Sequence, residues 1–442
     1  MRQDRDNFQA FCGYHQNWKG DYDHELAETD AGTPCGEYLR RYWQPVSITK
    51  DLGERPKLIK ILGEELVLFR DKSGQIGLVH KNCPHRRASL EFGKCETRGI
   101  RCCYHGWLFD VEGTILEIPG EPEDSEPAIR VKQSRRLGAY PVKEFRGLIF
   151  AYLGPPREQP RFPVYDAYEL PDMVRSPYAA AFQCNWIQVL DAIVDPVHTA
   201  FLHQNQFTEG FGICGEMQFY ERDKIRFLGT ATRRVGENAW VRVNELILPN
   251  FTQSGAAFAT DGTKTRFFGR SAFTRWVVPV DDENCIAFAW GNFGARGDPI
   301  EWNTKEGMEK IEQGEIIDRT YDERQQSPGD AEAVEGMGLI SEHEKEYLVT
   351  GDRGVTLYRR RIRRLCRNLT KGISPPQPAD LADGTIPTYG SDTVIRAPLS
   401  DNGEDSALLR RVNDQVMEVI FLGDGKQSSK RDEYIIEALK KL

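Results

Sequence analysis

Short runs of alternating or β-branched residues dominate residues 43–155. The segments KLIKILG, ELVLFRD, QIGLVH and GLIFAYLG each predict a strand, because apolar side chains at every second position suit a half-buried sheet. Turn residues such as Gly, Asp and Lys-Ser-Gly bound these segments. We therefore predict a small all-β domain over residues 43–155, preceded by an N-terminal segment over residues 1–42.

A longer, mixed pattern follows the Pro-rich stretch GPPREQPRFP, residues 154–163, which predicts a linker. Strand-like segments such as TRFFGRSAFTRWVVPV and CIAFAWGNF alternate with helical ones between residues 164 and 374. This alternation predicts a second, larger α+β domain over residues 164–374. Residues 375–442 form a predicted C-terminal extension, which begins within the loop GISPPQPADLADGTIP and ends in the helix KRDEYIIEALKKL.

The clearest helical period lies in DRGVTLYRRRIRRLCRNL, where Val355, Tyr358, Ile362, Leu365 and Leu369 share one face. An arginine cluster at residues 359–364 occupies the rest of the surface. It invites a docking hypothesis, but charged faces are usually the solvated side of such helices. We therefore favour a solvated arginine face.

Composition excludes several classes of protein. The 442 residues carry a net charge of -9, which disfavours a general nucleic-acid role. The N-terminus lacks the apolar run of a secretory signal, and no stretch approaches the roughly 18 apolar residues of a membrane span. We expect a cytoplasmic protein without a membrane partner. In that reducing compartment the ten cysteines are not expected to form disulfides.

Four of the ten cysteines fall between residues 83 and 103, interleaved with histidines. Cys83-Pro-His85 and Cys102-Cys-Tyr-His105 form two Cys-His pairs, separated by the sixteen residues from Arg86 to Arg101. Mixed thiolate and imidazole ligands suit zinc or an iron–sulfur cluster. The paired arrangement favours a Rieske centre, in which two cysteines hold one iron and two histidines hold the other. A zinc site is the alternative.

The segment CPHRRASL…CCYHGWLFD resembles the motif of the Rieske proteins, Cys-x-His…Cys-x-x-His followed by Gly-Trp. The resemblance implies that Cys83, His85, Cys102 and His105 hold a [2Fe-2S] cluster. Cys103 stands where members of the family usually carry proline, and Cys95 has no place in the motif. Neither is expected to bind the cluster.

A second group of candidate ligands lies in NWIQVLDAIVDPVHTAFLHQ, which supplies Asp195-x-x-His198-x4-His203. Asp191, Asp195 and His198 are at helical neighbour spacings. His203 would be rotated about 140° from His198 on an ideal helix, but Pro196 predicts a kink or restart, with Asp195 as N-cap. Two histidines and a carboxylate on one face of Fe(II) form the facial triad of non-haem oxygenases.

The Rieske oxygenase family carries the same Asp-x-x-His-x4-His motif, and its phthalate-type branch adds a distant aspartate in the pattern Asp-x-x-x-x-Glu-x-Met-Gly-x-Ile. DAEAVEGMGLI matches this pattern, which assigns Asp330, 127 residues after His203, as the third ligand of a mononuclear Fe(II). Glu332 and Glu335 are the alternatives. The likeness, which also includes GTPCGEYLRRYWQPV, implies that the larger domain is catalytic, with an antiparallel sheet covered by helices (helix-grip, START-like).

The resemblance also implies a function. We expect the terminal oxygenase component of a multicomponent system that uses O2 and NAD(P)H-derived electrons. The chain has no Gly-x-Gly-x-x-Gly after a strand and no plant-type ferredoxin cysteines, so a separate reductase, with or without a ferredoxin, must supply the electrons. Asp195 would link the two metal sites by hydrogen bonding a cluster histidine and His198. Family members form homotrimers, with the cluster of one subunit against the catalytic iron of its neighbour.

The substrate is expected to be an aromatic acid. The favoured reaction is O-demethylation of a lignin-derived methoxy aromatic, similar to the dehydrodivanillate enzymes. The alternative is ring hydroxylation or cis-dihydroxylation of a phthalate-like aromatic carboxylate. Two other classes remain open: a zinc-stabilised interaction protein, which would be colourless, and a pure electron carrier, which would leave the second domain unexplained.

Overall fold

The computed structural model describes residues 10–170, 173–204, 209–255, 268–271, 273–294, 318–382, 384–399, 404–426 and 428–442. Residues 265–267 and 272 of the predicted strand segment TRFFGRSAFTRWVVPV lie outside these ranges.

The first domain consists of small antiparallel sheets, as the short alternating segments predict. All four predicted strand segments are strands in the structure. In spatial order the described strands are, in one sheet, Trp43–Ile48, Leu148–Tyr152 and Val142–Phe145; in a second, Lys57–Ile61, Glu64–Arg70, Ile76–His80 and Ala139–Tyr140; and in a third, Lys94–Glu96, Gly99–Arg101, Leu108–Phe109 and Ile115–Glu117.

A large antiparallel sheet forms the centre of the second domain. Its described strands, in spatial order, are Met173–Phe182, Cys285–Gly294, Phe273–Pro279, Phe251–Ser254, Asn238–Ile247, Arg226–Val235 and Glu216–Glu221. The strand Ser391–Arg396 pairs with Asn238–Ile247, and Phe268–Arg270 pairs with Ser391–Arg396.

The α-helices flank these sheets. Those described are Gly13–Gln16, His24–Ala27, Pro34–Leu39, Glu126–Ser134, Trp186–Val194, His198–Phe201, Tyr321–Gln326, Asp330–Glu335, Arg353–Leu369, Asp405–Leu422 and Ser428–Leu439. The predicted α+β architecture is confirmed. None of the helices in the described ranges is both long and apolar enough to cross a bilayer.

Helices cover both faces of the large sheet. On one face Asn244 donates a hydrogen bond to the Ile193 carbonyl of the helix Trp186–Val194 at 3.2 Å. The neighbouring residues Val241 and Val243 point the other way, because side chains alternate along a strand. They belong to the apolar cluster formed with the two C-terminal helices. The residues after 375, expected as an extension, thus contribute a strand to the large sheet and two helices that cover one of its faces.

The arginine face of the helix Arg353–Leu369 is not simply solvated, as the periodicity had indicated. Arg359 is 5% exposed and pairs with Asp191 and Glu346. Arg361 pairs with Glu221, while Arg363 and Arg367 pair with acidic residues of the N-terminal segment. These acids are remote in sequence, so helical periodicity could not show them.

Candidate active site

The Cys-His pairs of the first domain lie in two loops that are built alike. The amide four residues after each cysteine donates a hydrogen bond to its carbonyl, from Arg87 to Cys83 at 2.9 Å and from Gly106 to Cys102 at 3.1 Å. Arg87 and Gly106 have φ values of 66° and 73°. A left-handed residue therefore closes each turn, and glycine adopts that conformation without strain.

The loops bring the four predicted cluster ligands together. Cys83 and Cys102 are 1% and 3% exposed and lie beside each other. The rings of His85 and His105 are 4.6 Å apart, and His85 stacks on Trp107 at 4.7 Å. Both thiols are thus buried, whereas the imidazoles lie nearer the surface, with His85 exposed.

Electrostatics at this site favour a bound metal. Burial raises the pKa of the Cys83 thiol to about 11, so a metal is needed to hold it as a thiolate at neutral pH. Burial and the nearby His105 lower the pKa of His85, which favours the neutral imidazole that binds metals. A donor set of two adjacent thiols and two adjacent imidazoles fits a Rieske cluster, with its histidine side outward.

The two other cysteines of this region, Cys95 and Cys103, differ in burial. Cys103 is exposed, although it directly follows Cys102. Cys95 is buried in the strand Lys94–Glu96, where its pKa is raised by burial and by Asp71. That neither holds the cluster stays a prediction.

In the second domain the helix breaks at Pro196, as its sequence predicts. Asn185 caps the first helix, Trp186–Val194, by accepting a hydrogen bond from the Ile187 amide at 3.1 Å. The prediction of Asp195 as N-cap of the second helix is wrong: Asp195 is the C-cap of the first, and Val197 precedes His198–Phe201. Proline has no amide hydrogen with which to continue the first helix. The Asp195 carboxylate instead accepts a hydrogen bond from the Val197 amide and forms a turn.

This break lets both histidines face one point. The second helix ends at Phe201, so His203 lies in the turn beyond it, and the two imidazole rings are 5.1 Å apart. Nε2 of His203 lies 3.3 Å from an Asp330 carboxylate oxygen, and Nε2 of His198 lies 3.8 Å from it. One ligand atom from each of the three residues lies within 4.8 Å of the others.

Their environment suits a cation. Burial alone would raise the pKa of Asp330, but the charges of His203 and His198 lower it overall, so the carboxylate is ionised. Two imidazoles and one carboxylate at this separation fit a non-haem Fe(II). Asp191, which shares the helical spacing of Asp195, is not part of this group, because Arg359 and Tyr358 bind it.

Asp195 orients His198 mainly through its main chain. His198 Nδ1 lies 2.5 Å from the Asp195 carbonyl oxygen, which accepts a hydrogen bond from Nδ1–H and so leaves Nε2 free to bind a metal. The Asp195 carboxylate is 3.7 Å from the same nitrogen, too long for a hydrogen bond. That side chain is 29% exposed. Its link to a cluster histidine stays a prediction, with which this exposure is compatible.

Gln188 positions the third ligand, and the sequence did not reveal it. Its buried amide donates to the carbonyls of Val334 and Gly338 at 2.8 and 3.0 Å and accepts from the Ser341 amide. These bonds tie the helix Trp186–Val194, which precedes the two histidines, to the segment that contains Asp330. No local motif marks such a glutamine, because all its partners are about 150 residues away.

The two alternative carboxylates are engaged elsewhere. Glu332 accepts hydrogen bonds from the Gly329 amide and from Arg324, both at 2.7 Å. Glu335 accepts from the Gln183 amide at 2.8 Å. Asp330 is thus the carboxylate of this helix that joins the two histidines.

A cluster-binding β domain joined to a domain with a His-His-carboxylate group defines a class of two-centre iron redox protein. Comparison with known proteins identifies the family of the first domain and relatives of the whole chain. Residues 42–142 match the family model of the Rieske [2Fe-2S] domain. The chain is 40% identical to the tert-butanol monooxygenase / tert-amyl alcohol desaturase oxygenase subunit of Aquincola tertiaricarbonis, over 95% of this chain and 92% of that protein.

Two further relatives are similar over most of their length. The phenoxybenzoate dioxygenase subunit alpha of Ectopseudomonas oleovorans is 37% identical over 82% of this chain and 88% of that protein. The 5,5'-dehydrodivanillate O-demethylase oxygenase subunit of Sphingobium sp. is 30% identical over 87% and 90%. The crystal structure of dicamba monooxygenase has the same fold, with a TM-score of 0.61 at 19% identity over 76% of this chain and 99% of that one.

The chain belongs to the Rieske non-haem iron oxygenases, as an oxygenase subunit of the phthalate-type branch. Its cofactors are a Rieske [2Fe-2S] cluster and a mononuclear non-haem iron. As the oxygenase component of a multicomponent system, it works with O2 and with separate electron-transfer proteins.

Proposed function

We propose that this oxygenase hydroxylates a methyl carbon of its substrate, and that the favoured reaction is O-demethylation of a lignin-derived methoxy aromatic acid. The observation that supports an oxygenation site is the grouping of His198, His203 and Asp330 within 4.8 Å beside Asp195. Cys83, His85, Cys102 and His105 would hold the cluster. Bound iron supplies a centre at which O2 is activated with electrons received one at a time.

The names of two relatives support attack on a methyl group. An O-demethylase oxidises the methyl carbon of an ether. The carbinol carbon of tert-butanol carries no hydrogen, so C–H hydroxylation of that alcohol must also occur at a methyl group. For an aryl methyl ether, one O2, two electrons and two protons give the hydroxymethyl ether and water. The hydroxymethyl ether then collapses to a phenol and formaldehyde.

The protein's own residues would orient and shield this reaction. The Asp195 carbonyl fixes the His198 ring, and Gln188 fixes the segment that carries Asp330. His203 is 6% exposed, so this side of the site excludes bulk water. Apolar residues near 245–251 and after His203 are expected to line the substrate pocket. Residues 205–208 of that set lie outside the described ranges.

Ring oxygenation of an aromatic carboxylate is the second candidate. Phenoxybenzoate dioxygenase is a relative over most of the chain. The phthalate 4,5-dioxygenase oxygenase subunit of Pseudomonas putida is 38% identical over 41% of it. Such a reaction would give a phenol or cis-diol without formaldehyde.

Product analysis distinguishes the candidates. Holoenzyme, reduced through an added reductase, is assayed with methoxybenzoates, phthalate, 3-phenoxybenzoate and tert-butanol. We expect formaldehyde in a one-to-one ratio with the O2 consumed on a methoxybenzoate. A diol from phthalate or phenoxybenzoate, without formaldehyde from any methoxy acid, would establish the ring reaction instead.

Asp330→Ala should stop turnover and lower iron content while the Rieske spectrum remains, because it removes one iron ligand.

We also propose that the subunits form the head-to-tail homotrimer of the family, with the cluster of one subunit against the catalytic iron of the next. Two features support this arrangement. His85 is exposed on the first domain, and the Asp195 carboxylate is partly exposed beside His198. A second subunit could therefore reach both side chains.

A further inference from the structure

A buried arginine lies next to the catalytic histidine helix. Arg233 belongs to the strand Arg226–Val235 and pairs in register with Trp240 on the neighbouring strand. Trp240, Arg242 and Asn244 alternate onto one face of the sheet, and Asn244 bonds the histidine-bearing helix pair at Ile193. Arg233 therefore lies on the catalytic face.

Only two of the three nitrogens of the Arg233 guanidinium have a hydrogen-bond partner among the described residues. It is 1% exposed. Nε donates to the Ile213 carbonyl at 2.8 Å, and Nη2 donates to the Thr199 hydroxyl at 2.7 Å. Thr199 directly follows His198, so this contact places the guanidinium beside the metal-binding helix. The third nitrogen, Nη1, is buried without a hydrogen-bond partner.

Among the described residues, a second guanidinium and one carboxylate act on the charge of Arg233. Arg242 is a second guanidinium on the same face, 9% exposed, and its charge acts on Arg233. Asp392 is the carboxylate whose charge acts on both, at 3.2 Å from Arg242. Among the described residues named here, the charges are thus two cations and one anion. Burial and the charge of Arg242 lower the pKa of Arg233 to about 10.

Aromatic rings lie against the same guanidinium groups. The guanidinium carbons of Arg233 and Arg242 lie 5.8 and 5.0 Å from the centre of the Phe211 ring. Phe211 in turn lies 5.1 Å from Trp240. Buried polar donors are normally paired, and a buried unpaired charge is costly. A ligand that brings an acceptor and a negative charge together with an apolar ring would satisfy every group here.

We propose that Arg233 binds the carboxylate of the substrate, so that the enzyme selects organic acids over neutral compounds. The inference rests on the proposed oxygenation at the neighbouring metal site and names the substrate class of that site. A guanidinium and a carboxylate form a strong, charge-assisted hydrogen bond. Tert-butanol, from which one relative takes its name, carries no carboxylate.

Binding measurements without turnover test this role. Anaerobic, unreduced holoenzyme is titrated calorimetrically with 3-methoxybenzoate and 3-phenoxybenzoate and with their carboxamides, which keep the shape but lose the charge. We expect each acid to bind roughly tenfold or more tightly than its amide. Arg233→Met should weaken binding of the acids by roughly tenfold to hundredfold and leave the amides unchanged.

Two further variants separate recognition from folding. Arg233→Lys keeps the charge and should retain part of the preference for acids. Arg396→Gln removes an exposed arginine that pairs with Glu237 and should change nothing. Both metal contents and the Rieske spectrum are checked in every variant. Acids that fail to bind, acids and amides that bind alike, or an equal loss of both in Arg233→Met would each overturn the proposal.

The outcome is independent of the reaction type. Selective binding of acids through Arg233 can be observed even if the product is a diol rather than formaldehyde. Conversely, formaldehyde production without any preference for acids would support methyl hydroxylation and reject the role of Arg233.

Discussion

Of the four cysteines between residues 83 and 103, two are paired with histidines in matching loops. Cys83→Ser and Cys102→Ser should each abolish the visible absorbance of the cluster, because each removes a thiolate from iron. Cys95→Ser and Cys103→Ser should keep it, since the family's Cys-x-His…Cys-x-x-His motif uses neither residue. Visible spectra and iron and sulfide content provide the measurement. Loss of the cluster in Cys103→Ser with retention in Cys102→Ser would reassign the ligand.

At this scale the sequence predicted residues that belong to short, ordered motifs. The Cys-His pairs and Asp195-x-x-His198-x4-His203 are local, and the structure brings their members together. Gln188 and Arg233 could not be predicted in the same way. A glutamine or arginine is common on any helix or strand, and only its burial and its distant partners distinguish it.

The last helix, Ser428–Leu439, is held to the large domain by a buried ionic network. Arg270 contacts Asp432 of this helix and Asp166 after the linker, both at 2.8 Å, and Arg431 contacts Asp166 at 3.0 Å. All four side chains are at most 3% exposed. The network therefore joins three segments that are remote in sequence.

Removing one charge from this network should destabilise the protein strongly. Asp432→Ala leaves Arg270 with one carboxylate instead of two in a buried position, and should lower the free energy of unfolding by about 3–5 kcal/mol. Urea denaturation followed by tryptophan fluorescence measures the change. Glu237→Ala removes half of an exposed pair, 68% exposed at Glu237, and should leave the midpoint unchanged. Equal changes in the free energy of unfolding in the two variants would show that the buried network stabilises the protein no more than an exposed pair does.

The sequence predicted helices with a clear hydrophobic period, but it did not predict which residues pack against them. The helix Arg353–Leu369 and the break at Pro196 follow from periodicity and from proline chemistry. The burial of Arg359 does not, because it depends on Asp191 and Glu346. The strand Ser391–Arg396 carries little apolar alternation, so its place in the large sheet comes from tertiary pairing with Asn238–Ile247.

At the scale of the whole molecule, the two metal-binding groups present complementary exposed side chains. His85 is exposed on the first domain, and Asp195 keeps 29% of its side chain exposed beside His198. In the proposed homotrimer these side chains would meet across a subunit boundary. An Asp195 carboxylate placed there could accept a hydrogen bond from a cluster histidine of the neighbouring subunit.

Mixed assemblies test this arrangement. Cys102→Ser removes a cluster ligand and His198→Ala removes an iron ligand, so each homotrimer should be inactive. Co-expressed chains should form mixed trimers in which one subunit keeps the cluster and its neighbour keeps the catalytic iron, and activity should partly return. Asp195→Asn in an otherwise intact chain should retain both metals but slow turnover severely, because it loses the carboxylate charge. Mixed trimers whose composition is verified by native mass spectrometry, yet which show no activity, would mean that electrons travel within each chain and that Asp195 does not connect subunits.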